Sequence, residues 1–131
     1  MLHRAGQRAA DIFADEAGTG GLTPRQFALL AMVYDEEGLT QTELVDRTGI
    51  DRSTLADIIA RLLSRGLIQR RRAKDDGRAY AVKLSAQGAK ALRDARPGAM
   101  AADQRLLACL PPAKRQDLID SLILIVEAVD K

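Results

Sequence analysis

The residues best suited to chemistry in this chain are arginines and small hydroxyl side chains that gather in residues 40–84. This segment holds ten of the 20 Lys and Arg residues. Its net charge is +4, against −3 for residues 1–39 and +1 for residues 85–131. Guanidinium groups bind phosphates and base edges, so a positive field confined to the middle of the chain indicates a nucleic-acid surface. Charge alone leaves a merely solvated basic face as the alternative.

Residue types that would support catalysis or metal binding are scarce. His3 and Cys109 are the only histidine and cysteine, and one of each, far apart in the chain, does not make a metal site. The sequence pairs no nucleophile with a base and has no phosphate-binding loop, so we expect neither an enzyme nor a cofactor. A single cysteine excludes an intrachain disulfide and fits a reducing compartment.

Membrane and export signals are also missing from the sequence. No apolar run approaches the roughly 18 residues that a membrane span requires. The first residues lack the apolar core of a signal peptide. We therefore expect a cytoplasmic protein without a membrane partner.

The pattern of residues 40–66 predicts a helix-turn-helix. Thr40 caps a short helix with Glu43 three positions later, which is a capping box. Gly49 suits the left-handed turn that follows, where glycine has no steric penalty. Asp51 caps a second helix, and Gly66 ends it. One face of that helix is apolar at helical spacing: Leu55, Ile58, Ile59 and Leu62.

Two short strands are predicted directly after these helices. Residues 67–73 and 79–84 have strand character, and the alternation of Tyr80, Val82 and Leu84 is clear. Asp75-Asp76-Gly77 is a hairpin signal between them. A helix-turn-helix followed by such a hairpin is a winged helix-turn-helix.

Further helices are predicted on both sides of this segment. Residues 2–17 have one apolar stripe. Thr23, Pro24 and Gln26 begin the next helix with a second capping box, and three acids close it, which we expect to be solvated or paired with basic groups from elsewhere. Ser85 begins another helix, which Pro97-Gly98 should kink or break before the helical pattern resumes over residues 100–110.

The last helix, which opens at Pro111-Pro112, is apolar over more than half of its circumference. A helix this apolar cannot be solvated on one side of a small monomer. We therefore expect a homodimer, and a twofold dimer would match a pseudo-palindromic site. The apolar positions are Leu118, Ile119, Leu122, Ile123, Leu124, Ile125, Val126 and Val129.

Several of these residues resemble the MarR family of bacterial winged-helix regulators over residues 22–92. The most specific match is Asp76-Gly77-Arg78 followed by Val82-Lys83-Leu84-Ser85 and Gly88, which is similar to the wing signature of that family. Gly77 stands where the family often has a second arginine. Further matches are Leu22-Thr23 with Gln26, Leu39-Thr40-Gln41 with Glu43-Leu44, Ser53-Thr54-Leu55, and Gly66-Leu67-Ile68.

The resemblance implies a mainly α fold with a small β-wing. Residues 1–131 would form one MarR-type domain. Residues 22–85 would be the winged helix-turn-helix DNA-binding lobe, and residues 1–21 and 86–131 the N- and C-terminal dimerisation helices. The function it implies is a sequence-specific, double-stranded-DNA-binding transcriptional regulator, which we expect to be a repressor.

The start of the second helix of the motif would read bases in the major groove. Arg52, Ser53 and Thr54 lie there, and Asp57 and Arg61 follow on the same exposed face. An arginine can bind guanine in bidentate fashion. The alternative for Ser53 and Thr54 is that they only satisfy the helix start.

Backbone phosphates would be bound on both sides of that helix. The N–H groups of Thr40 and Gln41 could hold a phosphate on the helix dipole, unless they form a plain cap. In the wing we expect contacts from Arg72, Lys74, Asp76 and Arg78. The resemblance implies that Arg78 enters the minor groove and that Asp76 pairs with a nearby arginine.

Regulation by a small anionic, often phenolic, ligand is also implied by the resemblance. The polar and aromatic residues near the expected junction are His3, Arg8, Phe13 and Tyr34, although surface positions for the first two and core positions for the others are an alternative. Cys109 could make the protein a redox-responsive regulator, but a buried structural thiol is commoner. A winged-helix protein-interaction module is the remaining alternative.

Overall fold

The computed structural model describes residues 1–18, 21–72 and 80–129. They form a mainly helical fold with one antiparallel hairpin, as the sequence predicts. The elements, in chain order, are α1 (Leu2–Ala17), α2 (Pro24–Asp35), α3 (Gln41–Thr48), α4 (Arg52–Ser64), β1 (Ile68–Arg72), β2 (Tyr80–Leu84), α5 (Ala86–Leu107) and α6 (Pro112–Val129). None of the helices in this described part is long and apolar enough to cross a membrane.

Side-chain caps fix the starts of the inner helices, as predicted. The Thr23 hydroxyl accepts from the Gln26 amide at 3.1 Å, and the Gln26 side chain accepts from the Thr23 amide at 3.1 Å. Thr40 and Glu43 form the same reciprocal arrangement at α3. Ser85 accepts from the Gly88 amide at 3.0 Å. Each cap satisfies backbone donors that a helix start otherwise leaves without partners.

The helix-turn-helix is locked onto one apolar core. Gly49 adopts the predicted left-handed conformation with φ 69° between α3 and α4. Leu44 of α3 and Leu55, Ile59 and Leu62 of α4 are fully buried. They pack in the same cluster as Leu29, Leu30 and Val33 of α2. The two helices therefore form one rigid unit that presents the start of α4 at the surface.

The hairpin is tied to the start of α3. β1 and β2 pair from Ile68↔Leu84 to Arg72↔Tyr80. The Val82 amide also donates to the Leu39 carbonyl at 3.0 Å, and Thr40 forms an isolated bridge with Ala81. The predicted strand ends at Ala73 and Ala79 and the turn between them lie outside the described residues. This pairing fixes the orientation of the wing relative to the helix-turn-helix.

Helix α5 runs without a break through Pro97, so the predicted break there is wrong, and the alternative of a kink stays a prediction. Proline removes one backbone hydrogen bond inside a helix, but packing against α1 holds the helix together. A Cβ on Gly98 would lie 2.4 Å from the Glu16 carbonyl oxygen, so glycine is what allows α1 to lie this close. Arg105 also binds Asp15 at 3.3 Å and Glu16 at 3.5 Å. Tertiary contacts thus override the local signal of Pro97.

Helix α6 leaves its apolar side chains at the surface. No residue of this helix is buried, and Leu122, Ile125 and Val129 are 46%, 53% and 78% exposed. The turn before it is ordered by Arg115, whose Nε donates to the carbonyls of Leu107 and Leu110 at 3.0 and 3.1 Å. Within the described residues of this single chain, no other element covers the apolar face of α6, as the sequence predicts.

Candidate nucleic-acid interface

The start of α4, where base contacts are predicted, is held by a side-chain cap. Asp51 caps it with both carboxylate oxygens: one accepts from the Thr54 amide and the other from the Thr54 hydroxyl, each at 3.0 Å. The hydroxyl bond and then the amide bond hold the pKa of Asp51 below its ordinary value, and nearby Arg25 adds a smaller effect. The Thr54 hydroxyl is thus used by the cap, whereas Arg52 and Ser53 are exposed.

Arg52 makes a contact with a residue of α3 that the sequence did not single out. Its Nη1 lies 3.4 Å from the hydroxyl oxygen of Thr42, which is also exposed. A bond this long is weak, so the guanidinium keeps most of its donors for another acceptor. The two residues are ten positions apart, and only the packing of α3 on α4 brings them together.

Asp57 and Arg61 lie one and two turns further along α4 and pair with each other. The Arg61 Nε is 3.2 Å from the Asp57 carboxylate, and the two side chains are 70% and 64% exposed. Solvent-exposed pairs of this kind contribute about 0–1 kcal/mol. Such a pair holds the arginine only weakly.

Thr40 and Gln41 stand at the start of α3, where the cap uses much of the local chemistry. The Thr40 hydroxyl accepts from the Glu43 amide at 3.2 Å and donates to the Glu43 carboxylate at 3.1 Å. That carboxylate also accepts from the Thr40 amide at 3.4 Å. A phosphate at this site would therefore meet the backbone N–H groups of the first turn beyond Thr40, or the half-buried Gln41 side chain.

The described part of the wing carries a dense positive charge. Arg70, Arg71 and Arg72 are all exposed. Since side chains alternate between the two faces of a strand, both faces of β1 beyond Ile68 are open to solvent. Lys74, Asp76 and Arg78 lie outside the described residues. The wing-fixing pair of Asp76 and the minor-groove contact of Arg78 therefore stay predictions.

The four predicted ligand residues are not brought together. Phe13 is buried and borders a 210 Å³ cavity between α1, α5 and the start of α2, whose lining includes Ala9, Ala102 and Leu106. His3 is exposed and Arg8 pairs with Asp11 at 3.5 Å. Tyr34 is 58% exposed, so a core position for it is wrong, and its ring lies 5.7 Å from the Arg96 guanidinium carbon. Of the four residues, Phe13 alone lines this cavity.

Cys109 is exposed in the turn between α5 and α6, so the expected burial of this thiol is wrong. Its Sγ lies 3.7 Å from the Arg105 carbonyl oxygen. The turn projects beyond the apolar core, which explains the exposure. Among the described residues, no three His, Cys, Asp or Glu side chains are grouped to hold a metal ion.

The sequence matches known regulators over most of its length. Residues 20–79 match the model of the MarR family. The chain is 33% identical to the transcriptional regulator HosA of Escherichia coli over 102 residues, which are 78% of this chain and 75% of HosA. It is 32% identical over 104 residues to a putative transcriptional regulatory protein for the hcr operon of Thauera aromatica, where it spans 79% of its own length and 63% of that relative.

Solved structures share the fold. A probable transcriptional regulator from Pseudomonas aeruginosa is 35% identical, with a TM-score of 0.87 and coverage of 95% of this chain and 92% of the other. The repressor CouR, solved with a 23-mer DNA duplex, is 29% identical with a TM-score of 0.87 and coverage of 95% and 89%. PcaV from Streptomyces coelicolor, solved with its natural ligand, is 29% identical with a TM-score of 0.86 and coverage of 98% and 91%.

Proposed function

The chain belongs to the MarR family, and on this premise we propose that it is a homodimeric, sequence-specific DNA-binding transcriptional regulator that acts as a repressor. The observation that carries the proposal is the exposed start of α4, where Arg52 and Ser53 project from a capped and fully packed helix-turn-helix. A rigid helix start of this kind is what major-groove recognition requires.

The contacts to DNA are divided among the elements of residues 22–85. Arg52 and Ser53 read base edges, and Asp57 and Arg61 extend that surface along α4. The Thr54 amide and hydroxyl both donate to Asp51, so the Thr54 side chain can only accept a hydrogen bond from DNA. The first turn of α3, with Thr40 and Gln41, meets the backbone. In the wing, the exposed Arg72 binds phosphates, and Lys74, Asp76 and Arg78, which lie outside the described residues, are proposed as further DNA contacts.

Residues 1–21 and 86–131 build the dimer. The exposed apolar face of α6 supports this division, because it has no cover within the described chain. α1 packs along α5 and so belongs to the same part of the molecule. A twofold dimer places two α4 helices against two half-sites of a pseudo-palindromic operator.

A small-molecule effector releases the repressor from DNA in this proposal. The cavity bordered by Phe13 lies between α1, α2 and α5, where the dimerising helices meet the DNA-binding lobe. PcaV, with 29% identity, was solved with its natural ligand, which supports ligand control in this chain. His3, Arg8 and Tyr34 do not line the cavity and have weaker support as ligand residues. The protein works in the cytoplasm and has no enzymatic role.

Selection of bound fragments from the native genome tests the proposal. We expect recovered fragments to share a pseudo-palindrome with half-sites separated by about one helical turn, roughly 10 base pairs. They should bind more tightly than random duplex by a factor of at least about 10³ at physiological salt. Recovery of fragments without a shared motif would reject sequence-specific regulation, and recovery of no fragments would favour a protein-interaction module.

A further inference from the structure

Arg25, the second residue of α2, is an exposed arginine with no stabilising role in its own helix. Within the described residues it makes no hydrogen bond or ion pair. A cation at a helix start opposes the macrodipole, and the first turn of α2 has no acidic residue to offset it. The Thr23 capping box and Pro24 fix the backbone at this position, so the guanidinium extends from a rigid part of the helix.

The side chain borders a polar depression beside the start of α4. The depression has a volume of 570 Å³ and is lined by Arg25, Thr48, Gly49, Ile50, Asp51 and Thr54. One wall is thus the first turn of α2, and the other is the end of α3, the turn after it and the cap of α4. Arg25 is close enough to Asp51 to contribute to lowering the pKa of that carboxyl, after the two bonds from Thr54.

Arg25 is the free donor of this depression. The Thr48 hydroxyl donates to the Leu44 carbonyl at 2.7 Å and accepts from the Ile50 amide at 3.2 Å. The Thr54 hydroxyl donates to Asp51, whose second oxygen accepts from the Thr54 amide. Both hydroxyl groups therefore already donate their protons to acceptors within the chain. The Asp51 carboxylate accepts its two hydrogen bonds from Thr54 at the start of α4. The guanidinium alone among these side chains can receive an anion.

The depression is lined by Thr48 at the end of α3 but not by any residue of the first turn of α3. The side chains of residues 52 and 54 point in directions about 200° apart around the helix axis. Arg52 reaches Thr42 of α3, whereas Thr54 borders the depression with Arg25. Arg25 and the first turn of α3 therefore flank the start of α4 from roughly opposite sides. A helix lying in the major groove has phosphates along both groove edges.

We propose that Arg25 binds a backbone phosphate on the groove edge opposite the one met by α3, and thereby fixes the position of α4 in the groove. This inference rests on the proposed function, since DNA is the ligand. It makes Arg25 a positioning residue that contributes affinity without reading sequence.

The test is a salt titration of binding to a random-sequence duplex by the full-length chain and three variants. Arg25→Gln removes the charge, and Arg25→Lys keeps it. Arg93→Gln removes an equal charge from an exposed α5 arginine that does not line the depression. We expect Arg25→Gln to reduce the slope of log K against log salt by roughly 0.9 for each protomer. Arg25→Lys and Arg93→Gln should keep the slope of the unmodified protein.

The outcomes separate the two proposals. If the unmodified protein binds DNA with a steep slope and Arg25→Gln keeps that slope, the Arg25 contact is wrong and the regulator stands. If the unmodified protein does not bind, the proposed function fails. A thermal midpoint for Arg25→Gln at or above that of the unmodified protein, together with weaker binding, is the expected result. A lower midpoint with an unchanged slope would assign Arg25 a structural role instead.

Discussion

At the scale of single residues, Arg52 carries the proposed sequence specificity. Arg52→Ala should weaken binding to the selected operator by about 1–3 kcal/mol more than binding to random duplex, because a bidentate guanine contact is lost only at the operator. Fluorescence anisotropy on both duplexes at one salt concentration measures the difference. Equal losses on the two duplexes would remove Arg52 from base reading and leave it a phosphate contact.

Asp51 determines how the start of α4 responds to acid. Its pKa is lowered from 3.8 in the folded protein, first by the Thr54 hydroxyl and then by the Thr54 amide. The unfolded state therefore binds the proton more readily, so the stabilisation is fully present above pH 3.8 and is lost as the pH falls through the folded pKa. Asp51→Asn keeps a capping group that does not titrate.

The stability advantage of the unmodified protein over Asp51→Asn should therefore shrink on acidification below pH 3.8. Chemical denaturation at a series of pH values measures it. An advantage that stays constant through this range would show that the cap bonds do not distinguish the two protonation states of Asp51.

Local side-chain chemistry made part of the interface predictable from sequence. The caps at Thr40 and Asp51 depend on bonds across three residues, so spacing alone identifies them. The contact of Arg52 with Thr42 and the depression beside Arg25 join residues of different helices. No local pattern encodes those neighbours, and the packing of α2 and α3 against α4 is needed to find them.

At the scale of elements, the close approach of α1 to α5 depends on Gly98. A Cβ there would lie 2.4 Å from the Glu16 carbonyl oxygen and 2.8 Å from the Ala17 Cα, which are backbone atoms that cannot rotate away. Gly98→Ala should destabilise the fold by about 1–3 kcal/mol through overpacking. Urea unfolding followed by circular dichroism measures the change.

Gly18→Ala is the matched control for this change. Gly18 ends α1 with φ −67°, and a Cβ there meets nothing within 4 Å. We expect this variant to be as stable as the unmodified protein or slightly more so, because alanine restricts the unfolded chain. Equal destabilisation by both substitutions would argue against a close contact at Gly98.

The same contact explains where sequence reasoning about elements failed. Pro97-Gly98 is a strong local signal for a helix break, and Pro97 does remove a backbone donor. Helix α5 continues because α1 packs along it, with Arg105 bound to Asp15 and Glu16. Helices bounded by capping residues and glycines were predictable, whereas continuity through a proline depended on a tertiary neighbour.

At the scale of the whole molecule, the exposed face of α6 should hold two copies together. Leu122 lies at helical spacing from Leu118, Ile125 and Val129, and all four are exposed in the single chain. Leu122→Asp should shift the protein to monomers because a charge would be buried in an apolar interface. Light scattering measures the mass, with Gln116→Asp as a control that adds the same charge at an exposed polar position of α6. A dimer that survives Leu122→Asp would refute this interface.

The central claim is that the helix-turn-helix and the arginines of β1 bind DNA. The most direct measurement is the affinity of the full-length chain for a random-sequence duplex as a function of salt. Several phosphate contacts predict a loss of about 10³ or more in affinity between 50 and 200 mM salt. An absence of binding at 50 mM salt, or an affinity that does not change with salt, would contradict the claim.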